Sequence, residues 1–182
     1  MQKKWNTIHT FLINPLLNFF SLILINIWYD NFTYIANTFH LRFYVFLWAC
    51  STLYGFLWYA MTIWDAYDIA YHKKRHVLSC FGMLMCVFIP YFPSYPFWIN
   101  DLHVWLFIVC FGITIYEWLH ALPILLVVNR KWSLALGTTF IICLLTYTGI
   151  GHMTAFTESL ASITLNIVLY LMQKDLPYSE NR

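Results

Sequence analysis

The chain has 182 residues, of which 61% are hydrophobic, 21% are aromatic and only 10% are charged. Its mean hydropathy of +0.64 lies well above that of soluble domains of similar length. The formal net charge of +2 is too small a surplus to indicate a nucleic-acid-binding protein. Composition therefore predicts an integral membrane protein whose first partner is the lipid bilayer, and it excludes nucleic acid.

Six segments approach the length of about 20 apolar residues that a helix needs to cross a bilayer core of about 30 Å. The sequence therefore predicts an all-α, polytopic transmembrane bundle that forms a single membrane domain over residues 1–182. The predicted spans, called helices one to six, are 11–29, 43–64, 77–99, 102–128, 132–150 and 155–172. No small-x-small cleavage motif follows helix one, so we expect it to be a retained span rather than a removed signal peptide.

Helix three is the weakest of the predicted spans. Pro90, Pro93 and Pro96 interrupt it. Its regular part, from Val77 to Ile89, would rise only about 20 Å at about 1.5 Å per residue. It is predicted either to cross as a kinked helix or to form a re-entrant segment, which would leave five full spans.

Basic residues are distributed unequally between alternate connections. With six spans, Arg42 is the one basic residue on one side. The other side carries the remaining basic residues, which are Lys3, Lys4, Lys73, Lys74, Arg75, Arg130, Lys131, Lys174 and Arg182. Because cytoplasmic loops hold an excess of Lys and Arg, this pattern predicts that both termini are cytoplasmic. We expect the cytoplasmic membrane of a prokaryote as the location.

Several polar residues fall inside the predicted spans. In lipid, their side chains can form hydrogen bonds between helices worth about 0.5–2 kcal/mol each. We interpret them first as packing contacts. They are Asn14, Asn18, Asn26, Ser51, Thr52, Thr138, Thr139, Thr146 and Thr148.

The five cysteines, at positions 50, 80, 86, 110 and 143, lie in apolar stretches and form no CxxC pair. A quinone-coupled thiol oxidoreductase needs such a pair near one membrane face, so the sequence excludes that class. We interpret the cysteines as small hydrophobic core residues.

Glu117 is the most informative polar residue of the chain. It lies sixteen residues after Asp101 within helix four, which places it near the middle of the membrane, where a carboxylate usually indicates function. At about 100° per residue, His103, Cys110 and Thr114 share its helix face and form one polar stripe. We interpret this stripe as half of a transport pathway. The alternative is a protonated Glu117 that hydrogen-bonds to a neighbouring helix.

His120 follows Glu117 at the ExxH spacing, and we include it among the pathway residues. Di-iron bundles use this spacing to present a carboxylate and an imidazole together. They also need a second ExxH and further glutamates, and this chain contains too few. A di-iron site is therefore not expected.

A second candidate cluster lies at the cytoplasmic end of helix two. Asp65, Asp68, His72 and His76 would share one face if the helix continued as far as the basic cluster. Carboxylates and imidazoles at this spacing can hold a divalent metal such as zinc. The alternative is a solvated helix end at which the two acids pair with neighbouring basic residues.

A third candidate cluster combines residues from the three outer connections, namely His40, Asp101, His103 and His152. Three imidazoles and a carboxylate can form a catalytic zinc site with an open position. They can also form a pH sensor, because free histidine changes its charge at a pH of about 6.5. The alternative is that they are separate residues at the membrane interface. The sequence itself requires no cofactor.

These features give three functional expectations. The first is proton- or cation-linked transport or permeation of a small solute along the Glu117 stripe. The second is a non-catalytic accessory, sensing or assembly subunit that packs against other membrane subunits or against a second copy of itself. The third is a metal-dependent membrane enzyme that uses the outer histidines to activate water.

Overall fold

The computed structural model describes residues 2–92 and 94–176, and every regular element within this part of the chain is helical. The helices of this part are α1 (Gln2–Ile8, His9–Ile13 and Asn14–Leu24), α2 (Phe32–Thr38), α3 (Arg42–Tyr54, Gly55–Tyr59 and Ala60–Ala66), α4 (Lys73–Cys86), α5 (Phe97–Val128), α6 (Arg130–Ile150) and α7 (Ala155–Lys174). Two of the helices, α1 and α3, each consist of three consecutive segments.

Five of these helices, α1, α3, α5, α6 and α7, are long and apolar enough to cross a membrane. The predicted all-helical class is confirmed, and the helices are compatible with a multi-pass membrane protein. The predicted ranges of helices two, four, five and six each lie inside an observed helix. Long apolar runs identify such helices well because lipid leaves the backbone no other hydrogen-bond partner.

The predicted span over 77–99 belongs to α4 only in its first part, and its regular part, predicted to reach Ile89, is shorter than expected. The helix in this region, α4, has 14 residues and rises only about 21 Å. It ends at Cys86, four residues before Pro90, and α5 begins immediately after Pro96. Proline removes a backbone donor and restricts the residue before it, so the helix cannot continue through this stretch. Pro93 itself lies outside the described residues, as does Arg182.

Helix one is also shifted from its predicted range of 11–29. It begins near the N-terminus and ends at Leu24, because Ile25 is extended with φ −144° and ψ 166°. Asn26 then accepts a hydrogen bond from the backbone N–H of Trp28 at 3.2 Å. Asparagine favours such local turns over helix, so the chain leaves the helix here.

Contacts between helix ends show that α1 and α7, the first and last long helices, run in opposite directions. Near both termini, the Asn6 side chain donates to Gln173 at 3.0 Å. We call this side of the bundle the terminal end. On the opposite side, which we call the loop end, Ala155 N–H donates to the Asp30 carbonyl at 2.6 Å. The N-terminal segment and the last helix therefore meet at the terminal end.

Helices α1, α3 and α7 pack closely, and we call these three helices the body. A Cβ atom on Gly55 of α3 would lie 1.7 Å from Asn166 Oδ1 of α7, so only glycine permits this approach. Helices α4 and α5 form a separate antiparallel pair, which we call the hairpin. Trp118 of α5 packs against Phe56 of α3 and against Phe140, which lies at the middle of α6, with ring centres 5.1 and 5.4 Å apart.

We predict that Gly55→Ala lowers the stability of the protein by about 1–3 kcal/mol, because the added methyl group overpacks the contact with Asn166. Reversible unfolding in mixed micelles, followed by tryptophan fluorescence, measures this loss. Gly137→Ala is the matched control, since a Cβ there has no neighbour within 4 Å. Equal stability of the two variants would contradict the close approach.

Candidate functional site

The polar stripe predicted on α5 is a single helix face, and this face packs against α4. Thr114 and Ser79 share a hydroxyl hydrogen bond of 2.9 Å. Further toward the loop end, a Cβ on Gly82 would lie 2.3 Å from Cys110 Sγ, so the two helices touch there. Residues three or four apart on each helix thus make the hairpin interface.

Glu117 is paired with an arginine. Arg75 donates from Nε and Nη2 to Glu117 Oε1, both at 2.6 Å. The carboxylate is 1% exposed and the arginine side chain is 40% exposed. We call this ion pair the latch. Ionised hydrogen-bond partners attract strongly in a poorly solvated site, and removal of either one leaves an uncompensated charge.

The surroundings of the latch are asymmetric. Glu117 Oε2 is buried without a hydrogen-bond partner among the described residues, so one half of the carboxylate is unsatisfied. Arg75 lies over the Tyr116 ring, 5.0 Å from its centre. The arginine therefore has a second favourable contact when it is not held by the carboxylate.

His76 joins the hairpin to the body. It is fully buried, and its Nε2 donates to the Phe56 carbonyl of α3 at 3.0 Å. Its Nδ1 has no hydrogen-bond partner in the described part of the chain. The ring also packs against Trp64, with ring centres 4.8 Å apart.

The predicted metal-binding face over Asp65, Asp68, His72 and His76 is not formed. The chain leaves α3 at Ala66, and a left-handed residue at Asp68 (φ 54°) helps it to turn before α4 begins. Only His76 of the four is buried. Asp65 instead accepts a hydrogen bond from Tyr71 at 3.0 Å, and burial, followed by this carboxylate, raises the pKa of Tyr71 to about 12.

The outer residues are not brought together into a metal site either. In residues 2–92 and 94–176, no three His, Cys, Asp or Glu side chains are placed to hold a metal ion. His40, Asp101 and His152 are exposed. His103 is half-buried, and its Nδ1 donates to the Ile89 carbonyl at 3.0 Å. The connections carry these residues to different places, which spacing along the chain cannot reveal.

His120 lies apart from Glu117 despite the ExxH spacing. It is exposed and stacks on Tyr116, with ring centres 6.2 Å apart. It therefore contributes to the outer surface of α5 rather than to the buried stripe.

A cavity of about 160 Å³ lies between the hairpin and the body, toward the loop end. An engineered apolar cavity of about 150 Å³ holds benzene, so this space accommodates a ring-sized molecule. His103 is the one member of the predicted stripe that lines it. The main aromatic and polar lining residues are Phe32, Trp48, Thr52, Phe107, Phe111, Glu158 and Ser162.

The cavity wall is mostly aromatic and aliphatic, with one acidic side chain. Phe32 and Trp48 stack with ring centres 3.8 Å apart. Glu158 of α7 accepts a hydrogen bond from the Phe32 backbone N–H at 2.9 Å. Thr52 and Ser162 share a hydroxyl hydrogen bond of 2.7 Å at the boundary between the cavity and the body. Glu158 was not predicted as a site residue, because it occupies the first turn of a span.

From Ser162, a line of buried polar side chains continues inside the body, and we call it the polar seam. Asn14 and Asn18 of α1 each donate to Ser162 Oγ at 3.1 Å. The Thr52 bond brings α3 to the same hydroxyl. The prediction that Asn14, Asn18 and Thr52 bond between helices is thus confirmed. The threonines of α6 behave differently, since Thr139, for example, bonds to the Ala135 carbonyl of its own helix.

The seam continues toward the terminal end through His9. Its Nε2 donates to the Ser51 carbonyl at 2.9 Å, so Nδ1 of the neutral ring accepts from Tyr59 OH at 2.8 Å. Tyr59 OH also lies 3.2 Å from the Asn6 carbonyl. If Nδ1 gains a proton, it donates to Tyr59 and the hydroxyl turns to Asn6. The His9–Tyr59 pair can therefore exchange its donor and acceptor roles.

His9 and Tyr59 both lie in π-helical turns, His9–Ile13 and Gly55–Tyr59. Such wider turns are frequent at functional sites because they redirect a side chain. His9 was missed because the first span was predicted to begin two residues later. The spacing of His9 with Asn14, Asn18 and Ser21 along one helix would have indicated it.

No protein-family model, curated protein or solved structure matches the chain. The candidate site is accordingly defined by its geometry. It comprises the cavity, the latch on the hairpin and the polar seam in the body.

We predict that Tyr59→Phe lowers stability by about 1–3 kcal/mol, because it leaves buried partners such as His9 Nδ1 without their hydroxyl. The loss is measured by unfolding in mixed micelles. Tyr147→Phe is the control, since Tyr147 is 42% exposed on α6. If Tyr59→Phe and Tyr147→Phe lower the free energy of unfolding equally, the buried hydrogen bonds of Tyr59 add no stability of their own.

Proposed function

We propose that the protein is a carrier that moves a small solute across a membrane together with a proton or cation. The observation that carries this proposal is the cavity between the hairpin and the body. Carriers commonly bind their solute between two packed units that rock against each other. A cavity in that position can open to either side without unfolding any helix.

We propose further that the chain crosses the membrane six times, with both termini in the cytoplasm. The alternating helix directions support this arrangement, since α4 runs toward the loop end and α5 returns from it. The clustering of basic residues on the terminal side supports the orientation. In this arrangement α4 is a short span that the connection after Cys86 completes.

The latch provides the proton-sensitive step of this proposal. Ionised Glu117 holds Arg75 and thereby fixes the start of α4 against α5. A proton on Glu117 cancels the charge attraction, and Arg75 keeps its contact with the Tyr116 ring. Because Met83 and Cys86 of α4 line the cavity, a shift of this helix changes the cavity wall.

We predict that Glu117→Gln abolishes solute-driven proton movement in vesicles that contain the purified protein and an internal pH dye. The amide cannot exchange a proton, so coupling is lost. The solutes tested are ring-sized and differ in charge: N-methylpyridinium, nicotinamide and benzenesulfonate. His120→Gln is the matched control on the exposed face of the same helix. Proton movement that is identical in wild type and Glu117→Gln would refute the role of the latch.

We also predict that Glu117→Gln increases the rate at which N-ethylmaleimide alkylates Cys86 at constant pH. Loss of about 1.4 kcal/mol of closing free energy would raise the rate about tenfold. Peptide mass spectrometry measures the rate, with Cys50 of the same molecule as internal reference. Cys86 is 4% exposed in the closed arrangement, so an unchanged rate would show that the latch does not hold the hairpin.

A second candidate function is an accessory or assembly subunit. It is favoured by α6, because only 11% of its 18-residue apolar stretch is buried within the chain. Exposed side chains such as Ile141 and Leu145 could pack against partner helices or a second copy. Stoichiometric co-purification of another membrane protein in mild detergent would favour this role, whereas proton movement by the isolated chain would favour the carrier.

The third expectation is a metal-dependent enzyme. It requires at least three converging ligands, and the described residues provide no such group. The outer histidines are accordingly left without a catalytic role.

A further inference from the structure

We propose that the cavity binds a ring-sized organic cation, with Glu158 as the opposite charge. This inference names the solute class of the carrier and therefore rests on the proposed function. It draws on different residues from the latch, because neither Arg75 nor Glu117 lines the cavity.

Glu158 is an acidic group that lacks a cationic partner. One carboxylate oxygen, Oε2, accepts from the Phe32 backbone N–H at 2.9 Å. The ion pair that the described residues form is the latch between Arg75 and Glu117. No described Lys, Arg or His side chain pairs with Glu158. A carboxylate in an apolar cavity is costly until an opposite charge compensates it. A bound cation supplies that charge.

The aromatic wall favours the same ligand class. Phe32 and Trp48 stack on one side of the cavity, and Phe107 and Phe111 stack on the other, with ring centres 5.5 Å apart in the second pair. Aromatic faces attract organic cations, and cages of such rings recognise quaternary ammonium groups. An anion would instead meet both the carboxylate and the negative ring faces, so charge complementarity selects the cation.

The size of the cavity limits the ligand. At about 160 Å³ it matches one six-membered ring with small substituents. At the body side, the Thr52 hydroxyl can orient a polar substituent, because the Ser162 hydroxyl is already bonded to Asn14, Asn18 and Thr52. A permanently charged ring such as N-methylpyridinium therefore combines the charge, aromatic character and size that the cavity favours.

The test measures equilibrium binding to the full chain in nanodiscs by ligand-observed NMR. N-methylpyridinium is compared with toluene, a neutral ring of the same size, and with benzenesulfonate, an anionic one. Wild type should bind the cation at least about tenfold more tightly than either control. Glu158→Gln should weaken cation binding by about tenfold or more while toluene binding changes little.

The variant is conservative, because glutamine can still accept the Phe32 N–H bond. Asp101→Asn is the matched control, since it removes an exposed carboxylate at the same end of the bundle. Equal binding of the cation to wild type and Glu158→Gln, or equal binding of cation and toluene to wild type, would overturn the proposal. If the variant does not fold, the selectivity of wild type decides the question.

The two proposals fail in different ways. If wild type binds N-methylpyridinium through Glu158 but no solute drives proton movement, the binding site is supported and the carrier is refuted. If nicotinamide or benzenesulfonate drives proton movement while N-methylpyridinium neither binds nor does so, the carrier is supported and the cation site is refuted.

Discussion

The constraint on which this structure depends is that the interior of a bundle of apolar helices offers a polar side chain no water. Every polar side chain buried between the helices must find its partner within the protein, and a group left alone costs several kcal/mol. The body meets this constraint in part around Ser162, whose hydroxyl is contacted by Asn14, Asn18 and Thr52, while Asn14 Oδ1 stays buried without a partner among the described residues. Three helices that are distant in sequence are thereby fixed at one point. The close contact between Gly55 of α3 and Asn166 of α7 supports these bonds, because it brings α7 near enough to α3 for them to form.

The same constraint distinguishes two acidic groups inside the bundle, the buried Glu117 and the half-buried Glu158. Glu117 has a cationic partner within the chain, so its charge is compensated when the hairpin is closed. Glu158 has a backbone N–H and an aromatic cavity, but no cation among the described residues. Glu117 is thus suited to hold two helices together. The other acid is suited to receive a charge from outside the protein. Glu117 lies inside the hairpin, whereas Glu158 faces the cavity between the hairpin and the body.

The sequence predicted most of the long helices and the shared face of Cys110, Thr114 and Glu117, because both depend on local periodicity. It could not identify the partner of Glu117, since Arg75 lies 42 positions away and the chain turns sharply in between. The same limit applies to the candidate metal ligands, because spacing along the chain does not determine where residues in connections lie relative to each other, and the described residues include no group of three that could hold a metal. The cavity could not be predicted from the sequence either, because its wall comes from five separate regions of the chain. Only His103 among the predicted pathway residues contributes to it.

The latch and the cavity can influence each other because α4 carries part of both. Arg75 lies at its start, and Met83 and Cys86 lie two to three turns further along, against the cavity. A helix is stiff over this distance, so release at one end displaces the other. In the described part of α4, the bond from His76 to Phe56 is the side-chain hydrogen bond that reaches the body. The body is cross-linked by many such bonds along the polar seam. Under the proposed function, a change of charge at Glu117 therefore acts on the packing of α4 against α5, and Met83 and Cys86 carry that change to the cavity wall.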